Sequence, residues 1–314
     1  MQVEVLGSYG ADGNLDNDTL KNNLNNINGI TGVPDRIEDT SFPLMVTVEG
    51  VNIQITKEGE VSDASFVYAQ DGLLLWYDGI LNTRSGNNPN ATSLEDLSGN
   101  NNDGIFYNMN TDSGYYSSDE KGYVFLHNNS YIKSTNKIGI SGDANFTIET
   151  VSNMWEDGKI PNYSPYTSSC AAWWGSSSAT VGTSCIFGYS RSSSKLSVGF
   201  INNTACSDEN YDLIGKTSYM SFRKTKVGQI KKGNTDIEKI NYNGQDIPNT
   251  YTGTATFTTN MVDSEVTVGR AWQWGGQNRT FYGSIQSVRI YNRVLTDEKI
   301  QHNYEIDRKR FGIL

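Results

Sequence analysis

The chain has 314 residues and a formal net charge of −10, with 36% hydrophobic, 19% charged and 11% aromatic residues. The aromatic content disfavours a disordered chain, and the acidic balance disfavours nucleic acids, whose phosphates need Lys and Arg. No apolar run approaches the roughly 20 residues of a membrane-spanning helix, and the chain does not start with a basic segment and an apolar core. We expect a soluble protein without a signal peptide, a nucleic-acid partner or membrane insertion.

Residues 1–63 have the pattern of a small separate α+β module. The segment DNDTLKNNLNNINGI places its leucines and Ile27 on one helical face, with Asp18 or Thr19 as the N-cap. PLMVTVEGVNIQIT then alternates apolar and polar residues around a Glu-Gly turn, which predicts a hairpin. The polar stretch KEGEVSDAS is predicted to be a linker, and residues 64–70 join the module to a second domain over 71–314.

The sequence of the second domain predicts a mainly β structure. Short strand-like runs such as GLLLWYDG, KLSVGFIN and EVTVGRAW recur between turns rich in Gly, Asn, Ser and Asp. Roughly a dozen such runs predict an antiparallel sandwich. Only the last segment predicts a helix, with Thr296 as N-cap and Asp297 and Glu298 in its first turn. Ile300 and Tyr304 lie one turn apart and would dock on the sandwich.

Five segments of this domain together resemble a known family. They are GLLLWYDG and DLSGNNNDGIF at its start, NFTIETVSNMW in its middle, and VTVGRAW and FYGSIQSVRIYNRVLTDEKIQHNY at its end. Over about residues 70–311 the chain resembles a laminin-G-like, concanavalin-A-like jelly-roll domain of bacterial surface or phage-associated proteins. The resemblance implies a β-sandwich with a short C-terminal helix. The N-terminal module looks like small modules that precede such domains in pilin-like and phage-associated proteins.

The loop LEDLSGNNNDG, residues 94–104, has two interpretations. The resemblance implies a fold landmark, in which Gly99 and Gly104 supply special backbone angles and the Asn and Asp side chains close Asx turns. The alternative is a calcium site, because calcium prefers carboxylate, amide and carbonyl oxygens.

The calcium candidates are Asp78, Asp96 and Asp103. The EF-hand spacing is absent, however, and many members of the family carry an acidic residue where this chain has Gln286 and Ser287. No cofactor is expected to be required, with calcium kept as the alternative.

Catalytic signatures are weak. Neither His127 nor His302 accompanies a G-x-S-x-G nucleophile elbow. A glycosidase needs two carboxylates across a cleft, whereas Glu149 stands on its predicted strand without a compact E-x-D-x-x-E run. We therefore predict that the protein is not an enzyme, with a polysaccharide-active hydrolase as the least favoured alternative.

The two tryptophan pairs indicate a function more strongly than the catalytic signatures do. AAWWG contains adjacent tryptophans, and RAWQWGG contains two at strand spacing, which places both on one side. Exposed aromatic rings stack on sugars while polar neighbours bind hydroxyls, although core packing explains most Trp residues in a sandwich. The predicted ligand-binding residues are Trp272, Trp274, Gln277, Arg279, Trp173 and Trp174.

The three cysteines leave two alternatives. Cys170, Cys185 and Cys206 lack metal-site spacing. One pair can form a disulfide in an oxidising compartment, or all three can remain reduced and buried.

These features favour a non-catalytic binding or adhesion protein, on an extracellular appendage or a virion. The jelly roll would recognise a glycan or host-surface receptor, and residues 1–63 would mediate a homo-oligomer or larger assembly. The alternative is a structural virion or appendage protein, such as a head or tail fibre, with mainly an assembly role.

Overall fold

The computed structural model describes most of the chain, and its contacts divide that chain into two compact units, Met1–Tyr68 and Ala69–Leu314. The described residues are 16–26, 30–38, 44–48, 51–55, 61–63, 68–84, 86–109, 114–126, 130–156, 168–175, 182–190, 194–199, 204–235, 238–274 and 277–314.

The first unit combines one helix with one antiparallel sheet. Helix α1 spans Asn17–Asn25 and buries its two leucines. The sheet has the order β1-β2-β3-β4. Its strands are β1 (Ile30–Thr31), β2 (Leu44–Val48), β3 (Val51–Ile55) and β4 (Val61–Asp63). The helix and sheet share a core of Leu20, Leu24, Ile37, Leu44, Val46 and Ile55.

Two details of this unit differ from the sequence-based expectation. The N-cap of α1 is Asp16, whose carboxylate accepts the backbone N–H of Asp18 and Thr19. The predicted caps, Asp18 and Thr19, are therefore the second and third residues of the helix. Part of the predicted linker is strand β4, which pairs with β3. Ile27 and the Glu-Gly turn of the hairpin lie outside the described residues, but β2 and β3 pair in hairpin register up to Val48 and Val51.

The second unit contains two large antiparallel sheets. The first half of its strands comprises β5 (Leu73–Asp78), β6 (Ser93–Leu94), β7 (Gly104–Tyr107), β8 (Gly114–Ser117), β9 (Gly122–Phe125), β10 (Tyr131–Lys137), β11 (Phe146–Met154), β12 (Ser168–Gly175), β13 (Ser184–Ser190) and β14 (Lys195–Gly199). The second half comprises β15 (Thr204–Ser207), β16 (Thr217–Lys224), β17 (Gln229–Ile230), β18 (Glu238–Tyr242), β19 (Gln245–Ile247), β20 (Asn249–Tyr251), β21 (Phe257–Thr258), β22 (Glu265–Val268), β23 (Arg270–Trp274), β24 (Gln277–Thr280) and β25 (Gly283–Tyr291).

The larger sheet has nine strands in the order β20-β15-β14-β13-β12-β22-β10-β7-β6. The other has eight, in the order β19-β18-β16-β11-β25-β9-β8, with β5 also paired to β25. Apolar side chains from both sheets, including Phe125, Ile148, Trp174 and Val268, form one core. The prediction of a mainly β antiparallel sandwich is confirmed.

The C-terminal helix α2, Asp297–Phe311, packs on the eight-stranded sheet. Thr296 caps its N-terminus, and Gly312 ends it with a left-handed φ of 70°, which glycine adopts without strain. Ile300 and Tyr304 are buried in a cluster with Val151 of β11. The predicted helix and its docking residues are therefore confirmed.

Candidate functional site

A row of three side chains crosses the nine-stranded sheet on its outer face. Lys133 of β10 and Trp173 of β12 are both Cα partners of Thr267 on β22, the strand between them. The neighbouring positions Ile132 and Val268, also in register, are buried in the core. Because successive side chains of a strand point to opposite faces, the row directs its side chains away from the core.

The row has an aromatic ring, Trp173, at its β12 end, and an aromatic pair lies beside Lys133 at its β10 end. Trp173 is partly buried at one side. At the other side Tyr131 stacks on Tyr107, with ring centroids 4.6 Å apart and an interplanar angle of 5°. The guanidinium of Arg270 lies over the Tyr131 ring, 5.2 Å from its centroid. Tyr107 remains 37% exposed, so the stacked rings form a platform at the surface.

The row and the rings enclose an open cleft of about 310 Å³. Polar groups line it between the rings. Lys133 Nζ lies 3.7 Å from a carboxylate oxygen of Glu265, and both side chains are more than a third exposed. At one end the Ser264 hydroxyl accepts the backbone N–H of Gly175, with a donor–acceptor distance of 2.7 Å. The complete lining is Tyr131, Lys133, Trp173, Gly175, Ser264, Glu265, Thr267, Arg270 and Ala271.

The two adjacent tryptophans have different locations. Trp173 lines the cleft. Trp174 is fully buried, and its ring packs edge-on against Phe146 with centroids 5.0 Å apart. The prediction that Trp174 contacts a ligand is therefore corrected: the pleat of β12 turns this ring into the core.

The second tryptophan pair lies on strand β23, which begins at the cleft with Arg270 and Ala271. In the hairpin with β24, Trp274 pairs with Gln277, and Ala271 pairs with Arg279. The side chains of Trp272, Trp274, Gln277 and Arg279 lie outside the described part of the structure, so their role as ligand contacts stays a prediction.

Sequence reasoning did not single out Tyr131, Lys133, Glu265, Thr267 or Arg270. Their segments, YIKS and EVTVGR, carry the alternation of a strand, which identifies one outward face. The missing information is that β22 lies between β10 and β12. Strand order of this kind depends on distant contacts and has no local signal.

The loop over residues 94–104 is hydrogen-bonded to the backbone of strand β5. The buried Asp96 carboxylate accepts the backbone N–H groups of Trp76, Ser98 and Asn102, each at about 3.0 Å, and also the Ser98 hydroxyl at 2.8 Å. These hydrogen bonds are the Asx-turn type that the sequence suggested, together with one bond to β5. The side chain of Asn102 adds a bond to the carbonyl of Leu74, at 3.0 Å.

The two glycines of this loop serve different purposes. Gly99 has a φ of 85°, the left-handed backbone that was expected. Gly104 does not have a positive φ; a Cβ there would approach Ile132 Cγ2 to 2.6 Å. Gly104 is therefore required by close packing, and the expectation of a special angle was wrong.

The three calcium candidates already accept hydrogen bonds from the protein. Asp78 is fully buried and binds the guanidinium of Arg310 through both carboxylate oxygens, at 2.6 and 2.9 Å. Asp103 accepts the backbone N–H of Asp96 at 2.8 Å. Among the described residues, no group of three or more His, Cys, Asp or Glu side chains is arranged to hold a metal ion. Calcium binding stays an untested prediction.

Glu149, the carboxylate considered for hydrolysis, lies in a buried charge network. It is fully buried and accepts a hydrogen bond from Arg289 Nε at 2.8 Å. The same guanidinium binds Asp307 of α2, which is also fully buried. Asn303 and Tyr219 donate further hydrogen bonds to Glu149. The network joins α2 to the eight-stranded sheet. Within it, the Glu149 carboxylate is not exposed to solvent.

Burial, followed by the charge of Glu149, raises the pKa of the Tyr219 hydroxyl well above its usual range. Tyr219 therefore remains protonated and donates to the carboxylate. His302 is exposed on α2. His127, Cys170 and Cys206 lie outside the described residues or have undescribed side chains, whereas Cys185 is buried in the core.

No family model matches the sequence. No curated protein matches it either. Within the described residues, no helix is long and apolar enough to cross a membrane.

Several solved structures are similar in part. Domain 4 of AbnA, a GH43 extracellular arabinanase from Geobacillus stearothermophilus in complex with arabinotriose, is 14% identical with a TM-score of 0.45, over 74% of this chain and 98% of that chain. Trypanosoma rangeli sialidase is 11% identical with a TM-score of 0.49, over 76% of this chain and 33% of that chain. The binding domain of botulinum neurotoxin serotype D/C VPI 5993 is 12% identical with a TM-score of 0.39, over 75% of this chain and 52% of that chain. At this level of similarity, no ligand or activity transfers from these proteins to this chain.

Proposed function

We propose that the protein is a non-catalytic binding protein that recognises glycans through the cleft on the nine-stranded sheet. The observation that carries this function is one open cleft that contains the rings of Trp173 and Tyr131 together with the exposed polar pair Lys133 and Glu265. Aromatic faces with a few polar groups between them are the usual means by which a protein holds a sugar.

The dimensions of the cleft suit an oligosaccharide. Strands β10 and β12 are separated by β22, which places them about 10 Å apart at ordinary strand spacing. A disaccharide can span this distance with one ring against Trp173 and the other beside Arg270, which lies over the face of Tyr131. The Lys133 ammonium and the Glu265 carboxylate, both on side chains more than a third exposed, then face the sugar hydroxyls.

Glycan hydrolysis fits this cleft poorly. Glu265 is the single carboxylate among the described lining residues. The usual glycosidase mechanisms need a pair of carboxylates roughly 5–10 Å apart. The described lining therefore favours holding a sugar over cleaving one.

The wider setting that we propose is an extracellular appendage or a virion, in which a laminin-G-like domain is displayed and the N-terminal unit is the attachment. Support comes from the separate core of the first unit, where α1 and its four-stranded sheet bury their own apolar residues. Sedimentation of the full chain tests the attachment role: an oligomer that depends on residues 1–63 supports it, and a monomer contradicts it.

The glycan function is tested on a glycan array with the full chain and two variants. Trp173→Ala removes the ring at the cleft, and Tyr115→Ala removes an exposed ring from strand β8 of the other sheet. We expect binding by the wild type and Tyr115→Ala and loss of binding by Trp173→Ala. Equal binding by all three proteins, or no binding by any, would contradict the proposed function.

A further inference from the structure

The charge of the cleft differs in sign from that of the whole chain. The chain carries 35 Asp and Glu against 25 Lys and Arg. The described cleft lining instead contains two cations, Lys133 and Arg270, and one carboxylate, Glu265. A local positive surface on an acidic protein attracts anions at contact range. The acidic residues elsewhere oppose this little, because salt screens charges that lie more than about 10 Å away.

The one carboxylate among the described lining residues, Glu265, lies close to a positive charge. Glu265 lies 3.7 Å from the ammonium of Lys133. On the same strand pair, Glu265 is the Cα partner of Lys137, which is exposed. With two lysines beside one carboxylate, the edge of the cleft formed by β10 and β22 keeps a net positive charge.

The two cations of the cleft lie near its aromatic rings. Arg270 lies on the face of Tyr131, 5.2 Å from the ring centroid, which restricts where its guanidinium can point. Lys133 lies in the same row as Trp173, with Thr267 between them. A guanidinium binds carboxylate or sulfate through two parallel hydrogen bonds, and an ammonium acts as a point charge.

The outer row continues beyond the cleft in both directions. Trp173 is the Cα partner of Ile186 on β13, and Lys133 is the partner of Ile105 on β7. Ile105 is 45% exposed. Five neighbouring strands at ordinary spacing span about 19 Å, which is the length of a short linear saccharide and not of a single sugar.

From these observations, and resting on the proposed function, we propose that the ligand is a linear anionic glycan. It crosses the strands along the outer row, one of its rings stacks on Trp173, and its carboxylate or sulfate groups pair with Lys133 and with Arg270, which covers the face of Tyr131.

The test is isothermal titration calorimetry of the full chain with three defined hexasaccharides. Hexagalacturonate carries carboxylates, a chondroitin sulfate hexamer carries both carboxylates and sulfates, and xylohexaose is the neutral control. We expect at least about tenfold tighter binding of an anionic hexamer than of xylohexaose, and weaker binding as salt rises. A preference for hexagalacturonate assigns carboxylate as the recognised group, and binding of the chondroitin sulfate hexamer without hexagalacturonate assigns sulfate.

The variants locate the effect. Lys133→Gln and Arg270→Gln should each lose about tenfold in affinity for the anionic hexamer, a larger loss than for the neutral one, because Gln keeps hydrogen-bond donors but removes the charge. Lys231→Gln, an exposed lysine outside the cleft, is the matched control and should bind as the wild type does. Equal affinity for neutral and anionic hexamers overturns the inference and leaves glycan binding intact. Anionic binding that both cleft variants retain also overturns it, and absence of binding to any glycan, on the array as well, overturns both proposals.

Discussion

Arg289→Met is expected to destabilise the sandwich strongly, because it removes the cation from a buried network. Arg289 is fully buried between two fully buried carboxylates, Glu149 and Asp307. The substitution keeps much of the side-chain volume but leaves both carboxylates without a positive partner. Breaking a buried ion pair in this way costs about 3–5 kcal/mol, which corresponds to roughly 6–20 °C in melting temperature for a unit of this size.

Urea unfolding followed by tryptophan fluorescence measures this change in the relevant unit. All six tryptophans of the chain lie in Ala69–Leu314. The matched control is Arg308→Met, which removes an exposed cation 2.9 Å from Glu305 and should cost about 0–1 kcal/mol.

Asp307→Asn is the milder second variant for the case in which Arg289→Met does not fold. It keeps the size of the side chain and one acceptor oxygen, so the expected loss is about 1–3 kcal/mol. If Arg289→Met folds and loses no more than the exposed control, the account of the network as the attachment of α2 is wrong.

Three further predictions concern stability. Asp96→Ala should lower the free energy of unfolding by about 2–4 kcal/mol, because three backbone N–H groups lose their acceptor. Asp96→Asn keeps one acceptor oxygen and should lose less. Equal losses of the two variants in urea unfolding would contradict this role of the Asp96 carboxylate. Burial alone would raise the pKa of Asp143, but hydrogen bonds from Lys224 and Thr259 outweigh burial and lower it. Because the folded pKa is depressed, this carboxylate stabilises the fold above its unfolded pKa of about 3.9 and loses that effect as pH falls through the folded pKa. Asp143→Asn should therefore reduce the free energy of unfolding at pH 7 and much less at pH 3, and a pH-independent difference would refute the argument. Calcium and chelator should leave the melting temperature unchanged, since the three candidate aspartates already accept protein donors, and a rise with calcium would revive the metal site.

The sequence predicts the elements with a strong local signal. Helix α2 follows from Thr296, its acidic first turn and the apolar spacing of Ile300 and Tyr304. Strand β4 was missed because KEGEVSDAS is polar and short, and its strand conformation comes from pairing with β3 at the end of the sheet. The intrinsic β-propensity of the residues says little about such strands, because pairing with a neighbouring strand and side-chain packing determine whether they form.

The site was only partly predictable for a related reason. Aromatic content drew attention to AAWWG, but only the side of β12 that packs in the core distinguishes Trp173 from Trp174. Lys133 and Thr267 join Trp173 through pairings between strands that are far apart in sequence. Neither the strand order nor the register of these pairings is encoded in a local motif.

The most direct test of glycan binding at this cleft is an indole ¹H–¹⁵N spectrum during titration with the strongest glycan from the array. The chain has six tryptophans and therefore six indole signals, and the variant Trp173→Phe assigns the relevant one. We predict that the Trp173 signal shifts and saturates with added glycan, while the signal of the buried neighbour Trp174 moves little. A saturable shift of other indoles with an unchanged Trp173 signal would contradict the account and place the ligand elsewhere.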